Sequence, residues 1–466
     1  MDSSHEHEHE RRRPARNTAQ RTPTTPTRRK HRRSRRPVGV SSASTPSPKE
    51  YRSRRTRSAE IRGGAGGIRG GRAVAAGSSG CVFDPPLACE GSRGDARARS
   101  RPSGRDYVTK LSLRDRAQAE FEKTEWILHA VAPIANYDDY FIIPTEQPCR
   151  PAPLTKTDLV RFGPTCAAPL KGFTAANVNT RLAQLGATHV VNGGTTFFDA
   201  VNAGERSWVL PEFSKGMAHL LKGLTELNDR GVMHGDIKED NVVYGLAPGP
   251  GQTRVNRVRL IDWDNAIDIA EYRKTPPKVY HTCIGVLVNQ PITYALICHN
   301  ALTTLKNDKT SSNDVLADKL LSKISRLHTD NEEAAAEYAG VDVTRAHYRA
   351  QLLALLDKFR RRGVFNVGAY LDLLAHNYDV YGWLYLNNYA WMNSKYLFTG
   401  AFVDDAPAAR FLVKYMYSPD ALVEPYDLKK MLTDWKRVTR ELVTSLPKGS
   451  SSSSSSARTR KRKHNA

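Results

Sequence analysis

The stretch Gly231–Asn241, GVMHGDIKEDN, decides how the rest of this chain is read. A second stretch, LIDWD, runs from Leu260 to Asp264. Asp236 and Asn241 stand in a loop that a helix enters and a strand leaves, and Asp262 follows the apolar strand VRLI. Three oxygen-bearing side chains so placed can hold a hydroxyl nucleophile and one or two Mg2+ ions against a triphosphate. Phosphoryl transfer needs this because its catalysis is mostly positioning and charge neutralisation. Lys238, two residues beyond Asp236, can reach the transferring phosphoryl group and offset its charge.

The chain has 466 residues, 39% of them apolar, and a formal charge of +22. Its mean hydropathy of -0.53 is polar for a protein folded throughout. The charge is unevenly spread. Residues 1–62 hold 18 Lys and Arg against 6 Asp and Glu, and the last ten residues add five more cations. Basicity is thus a property of the tails, and the middle is long enough to bury a large core. The six cysteines (Cys81, Cys89, Cys149, Cys166, Cys283, Cys298) form no CxxC pair and read as reduced thiols of an intracellular protein. The N-terminus has no apolar signal core, and no apolar run is long enough to cross a bilayer, so no membrane contact is expected.

Residues 1–66, rich in Arg, Ser, Thr and Pro, read as a disordered basic tail. RRKHRRSRR, Arg28–Arg36, has the charge to bind nucleic acid or a nuclear-import receptor, which points to an intracellular protein of the nucleus, with the cytoplasm as another location. From Gly67 onward IRGGRAVAAGSSGCVFDPPLAC suits strand, glycine turn and strand. There Gly77, Ser78, Ser79 and Gly80 can bring backbone amides to phosphate, and Val82 can lie against a base. The strand YVTKL carries Lys110. Asp115 to about Ala132 reads as an amphipathic helix bearing Glu120, Glu122 and Glu125. One of these should pair with Lys110. Glu125 is preferred because Phe121 and Leu128 turn its face inward, although helix phase alone does not settle the choice. A strand is expected at Tyr140 (YFIIP), an insertion over about 145–187, and a hinge near Asn192–Gly194. Pro211–Arg230 is expected to be a helix. Residues 276–366 read as a long, mostly helical insertion with an exposed loop at NDKTSSND. Asp379 precedes an apolar helix, and 448–466 is a Ser-rich linker with a basic tail.

The ordered set Gly77, Gly80 and Val82, then Lys110, then Asp236, Lys238 and Asn241, then Asp262 resembles the eukaryotic serine/threonine protein-kinase family. GCVFDPPLAC, IANYDDYFIIP and VNQPITYAL are most similar to segments of kinases encoded by large double-stranded DNA viruses. The resemblance covers about 67–447. It implies an α+β, two-lobed fold, with a small β-rich N-lobe and hinge over 67–210 and a larger helical C-lobe over 211–447. It also implies ATP and Mg2+ as cofactors and proteins as substrates. Carried over residue by residue, Asp236 deprotonates the substrate hydroxyl and Lys238 neutralises the γ-phosphate. Asn241 and Asp262 bind Mg2+, Lys110 holds ATP, and Asp379 braces the catalytic loop from behind.

Four departures qualify the resemblance. Ala75 stands at the usual first loop glycine. Gly235 replaces the arginine that reads an activation-loop phosphate, which implies independence of that phosphate. Trp263 and Asp264 replace Phe and Gly, and no APE motif follows. Gly235 and Trp263 also suit a small-molecule phosphotransferase of the aminoglycoside or choline type, although Lys238 and the glycine loop do not. A non-catalytic pseudokinase scaffold is the third reading, and it would need none of Lys110, Asp236, Asn241 and Asp262.

Overall fold

The computed structural model describes residues 71–77, 79–91, 107–202, 211–248, 254–274, 291, 301–323, 344–397 and 406–445. All of them fall in one compact unit, Gly67–Ala466. The expectations for both tails, for Ser78 and for all of VNQPITYAL except Pro291 lie outside the described residues.

Strands β1 (Arg72–Ala76), β2 (Gly80–Asp84), β3 (Tyr107–Leu113) and β4 (Leu185–Val191) form an antiparallel sheet in that order. Side chains alternate across a strand. Cys81, Phe83 and Leu111 therefore enter an apolar cluster on one face, while Val82 and its register partner Lys110 take the other. Helix α1 (Arg114–Val131) leaves β3 without a loop. Asp115 complements the helix dipole in its first turn, and Ala117, Phe121, Ile127 and Val131 make its buried stripe. Pro133 lacks the N–H needed to prolong the helix.

The 145–187 segment contributes more than a surface insertion would. Around the short helix α2 (Phe162–Cys166), its Leu154, Phe162, Leu170, Phe173 and Val178 complete the cluster against β1–β4. Disulfides join Cys81 to Cys166 and Cys89 to Cys149. This corrects the reading of reduced thiols. The partners are 85 and 60 residues apart, so no local spacing betrays them, yet folding brings their Cα atoms to 5.4 and 5.8 Å, inside the range a disulfide spans. The cysteine argument for an intracellular protein falls with it. Cys283 and Cys298 lie outside the described residues. No helix among the described residues is long and apolar enough to cross a membrane.

The chain continues through β5 (Thr195–Thr196), α3 (Phe197–Asn202), α4 (Pro211–Asp229), β6 (Val232–Met233), β7 (Val242–Pro248), β8 (Arg254–Leu260), β9 (Ile267–Asp268) and α5 (Ile269–Lys274). After these come α6 (Ala301–Asn307), α7 (Asn313–Lys323), α8 (Arg345–Phe359), β10 (Arg360–Arg361), β11 (Val364–Phe365), α9 (Val367–Leu397), α10 (Ala406–Leu412) and α11 (Leu428–Ser445). Strands β5, β7 and β8 make a three-stranded sheet, and β6 pairs with β9. Leu220, Leu221, Leu224 and Leu227 on α4 centre a second, larger core. Two tryptophans lock it. The Trp383 indole N–H of α9 donates to Met217 O at 2.8 Å, and that of Trp435 in α11 donates to Ser214 O at 3.1 Å. Their rings meet edge to face, 5.4 Å apart.

The fold is α+β, with an N-terminal sheet and a helical C-terminal part, as expected. Two local readings differ. YFIIP forms no named strand. It makes one parallel bridge, Phe141 to Leu260, because the 3-10 turn Tyr137–Asp139 delivers it across the end of β8. Asp379 lies inside α9, not ahead of a helix, because the apolar pattern runs unbroken on both sides of it.

Candidate active site

Helix α4 ends at Asp229, and Gly231, two residues on, takes φ 74° and turns the chain into β6. The loop that follows is held from below by Asp379. Its Oδ2 accepts the N–H of His234 at 2.6 Å and its Oδ1 that of Gly235 at 2.9 Å. The carboxyl group is fully enclosed, and burial pushes its pKa up. Gly235 takes φ 78°, and a Cβ there would stand 2.6 Å from Asn265 O. No larger side chain fits without moving the backbone, so an arginine is excluded from this loop in its present shape.

His234 was not singled out in the sequence. It is wholly buried, which lowers its pKa and keeps the imidazole neutral. Its Nε2 lies 3.1 Å from Ile261 O, and the Asp236 N–H lies 3.3 Å from its Nδ1. The proton therefore sits on Nε2, and the ring couples the loop to the residue before Asp262. Asp236 is 8% exposed. Its Oδ2 meets Lys238 Nζ at 2.6 Å, Asn241 Nδ2 at 3.0 Å and Asn265 Nδ2 at 3.3 Å. Asn241 Nδ2 also donates to Asp236 O at 2.9 Å. Asn265, just past LIDWD, is a second residue the sequence reading missed.

Across from this loop, Lys110 Nζ bonds Glu120 Oε1 at 2.6 Å and lies 4.0 Å from Asp262 Oδ1. The expected partner Glu125 is exposed, as is Glu122. The correction has a helical cause. Ala117, Phe121 and Thr124 bury the α1 stripe, and Glu120 borders it on the side toward β3, one turn closer than Glu125. Lys110 is half-enclosed. Burial works against its charge, but Glu120, Asp262 and Asp264 outweigh that and hold its pKa above the usual value. Burial pushes the Asp262 carboxyl up against the pull of Lys110. Asp262 itself takes φ 66°, uncommon for a residue with a Cβ.

Trp263 fixes the segment. Its indole N–H donates to Ile142 O at 2.9 Å, and its ring packs edge-on to Phe141 at 5.5 Å and His234 at 4.8 Å. An outward swing of this residue would break all three contacts.

The glycine turn closes with a Gly77 N–H to Gly80 O bond of 2.9 Å. A Cβ on Gly77 would meet nothing within 4 Å, whereas one on Gly80 would lie 2.6 Å from Leu111 O. Gly77 thus leaves the approach open, and Gly80 is needed for packing on β3. Ser79 is buried. Val82 stands opposite Lys110 on β3.

A divalent cation fits the donor set. Asp262 Oδ1 and Glu120 Oε2 are buried without a hydrogen-bond partner among the described residues. Carboxylate oxygens of Glu120, Asp262 and Asp264 all lie within 4.8 Å of one another. Such oxygens suit a hard ion like Mg2+.

No protein-family model matches the sequence, and no curated protein matches it. Solved structures do match. One is the crystal structure of a double mutant of the PknI kinase domain from Mycobacterium tuberculosis. It is 12% identical over 79% of this chain and 94% of that one, with a TM-score of 0.29. At that score the likeness carries no argument about this chain, and the chemistry rests on the geometry above.

Proposed function

We propose that this protein transfers the γ-phosphate of ATP to serine and threonine hydroxyls of proteins, with Mg2+. The observation that supports this most is that the Lys110–Glu120 pair lies 4.0 Å from Asp262 while Asn265, three residues past Asp262, bonds the Asp236 carboxylate, so that β3, α1 and the two loops bring these groups together. Lys110, on the sheet face it shares with Val82, binds and orients the phosphates of a nucleotide whose base rests on Val82. Glu120 keeps the ammonium in place. Asp236, oriented by Asn241 and Asn265, accepts the proton of the attacking hydroxyl. Lys238 moves from the Asp236 carboxylate to the transferred phosphoryl group as that proton arrives. Asp262 and Asn241 would hold Mg2+, which when bound supplies neutralisation of the phosphate oxygens.

The class of enzyme proposed is a serine/threonine kinase like those of large DNA viruses, with the basic tails as contacts for nucleic acid or an import receptor. Removing 1–66 and 457–466 should then abolish a binding that weakens steeply with salt.

The test is labelled γ-phosphate transfer by the full chain with Mg2+, to a mixed acidic and basic protein panel, an aminoglycoside and choline. Phosphoserine or phosphothreonine that vanishes in Asp236→Asn supports the proposal. Label on a small molecule alone overturns it in favour of the small-molecule phosphotransferase, and absence of both transfer and ATP binding favours the scaffold.

A further inference from the structure

Asp264 is given no step in the transfer proposed above beyond its place in the Glu120–Asp262–Asp264 oxygen cluster, yet α1 grips it twice. Lys123 Nζ donates to the Asp264 carbonyl, and Arg116 Nη2 lies 3.7 Å from its Oδ2. Arg116, Glu120 and Lys123 fall at i, i+4 and i+7, one face of a helix. The residue that secures Lys110 is therefore flanked, one turn to each side, by cations that secure Asp264. The far side of this contact cannot yield easily, because neighbouring Trp263 is anchored on Ile142 O at 2.9 Å. A half-exposed ion pair such as Arg116–Asp264 is weak alone. The Lys123 bond is part-buried, and the two together straddle Glu120.

We propose that Arg116 and Lys123 are positioning residues that latch α1 to Asp264 and thereby keep the Lys110–Glu120 pair formed. The activity arm of this idea rests on the phosphoryl-transfer reading; the structural arm does not. Two cations on α1 also offset the crowding of Glu120, Asp262 and Asp264, which a single Lys110 leaves in excess.

The experiment compares the full chain with Arg116→Met/Lys123→Met and with the conservative pair Arg116→Lys/Lys123→Arg. Amide hydrogen exchange over 114–131 is followed without nucleotide, and kcat and KM for ATP are measured alongside. In the Met pair, exchange in α1 should accelerate about tenfold while α4 and α9 keep their protection. kcat should fall roughly tenfold or more, as when supporting residues are removed from other sites, and the conservative pair should restore both. Unchanged exchange in α1 overturns the latch, and so does equal loss of protection throughout the core. If the wild-type chain transfers no phosphate, the functional reading fails, and the exchange data still decide the latch.

Discussion

Glu120 Oε1 lies 2.6 Å from Lys110 Nζ, across the junction where β3 passes directly into α1. Because no loop separates the two elements, the pairing is set by how α1 is rotated about its axis. That rotation is set by the apolar residues α1 buries. The first prediction follows: Glu120→Gln should lower kcat/KM for ATP at least about tenfold, since the half-enclosed Lys110 ammonium loses its paired carboxylate. Glu125→Gln should change it little. Steady-state kinetics of the two variants side by side decide the matter, and equal effects would refute the pairing.

Asp379 sets the shape of the loop that carries Asp236. Asp379→Ala leaves the N–H groups of His234 and Gly235 buried and unpaired, which should cost about 3 kcal/mol or more of stability. Asp379→Asn keeps one acceptor and should cost less. Denaturant unfolding gives both values, and a loss below that of an ordinary surface substitution would show that the brace is dispensable.

The disulfides tie Cys166 and Cys149 of the 145–187 segment to Cys81 on β2 and to Cys89. Cys81 sits between Gly80 and Val82, so freeing it loosens the strand expected to face nucleotide. Reduction should remove about 2–4 kcal/mol per bridge and weaken ATP binding. Thermal melts and nucleotide titration with and without a thiol reductant test this, with the Cys81→Ser/Cys166→Ser variant as the reduced reference.

Asp262 has a carboxyl pKa raised chiefly by burial. Only the ionised form binds a cation, so protons and Mg2+ compete for it. As pH falls, Mg2+-dependent nucleotide affinity should start to drop above the ordinary carboxylate range, and proton release on binding should grow there. Calorimetry in buffers of different ionisation enthalpy reads both. A decline confined to the pH at which exposed aspartates titrate would contradict the burial argument.

Gly235 and Trp263 show how far the residues alone could be pushed. In the sequence Gly235 is a missing arginine. In the fold it is a left-handed turn pressed against Asn265 O, so the loop could not carry an arginine without reshaping. In the sequence Trp263 is a replacement for Phe, and in the fold its indole hydrogen bond to Ile142 O makes it an anchor.

What the sequence by itself determined is local or periodic. The Leu220–Leu227 stripe marks α4, the glycine turn marks β1–β2, and the closeness of Asp236, Lys238 and Asn241 follows from their being five residues apart or fewer. Such features are decided by backbone preference and by spacing along the chain. Tertiary structure alone decided which glutamate reaches Lys110, which cysteines join across 60 and 85 residues, and what Asp264 is tied to. Each depends on the rotation and docking of whole elements, and those are fixed by burying apolar faces far apart in sequence, a sum over many contacts that no short motif records.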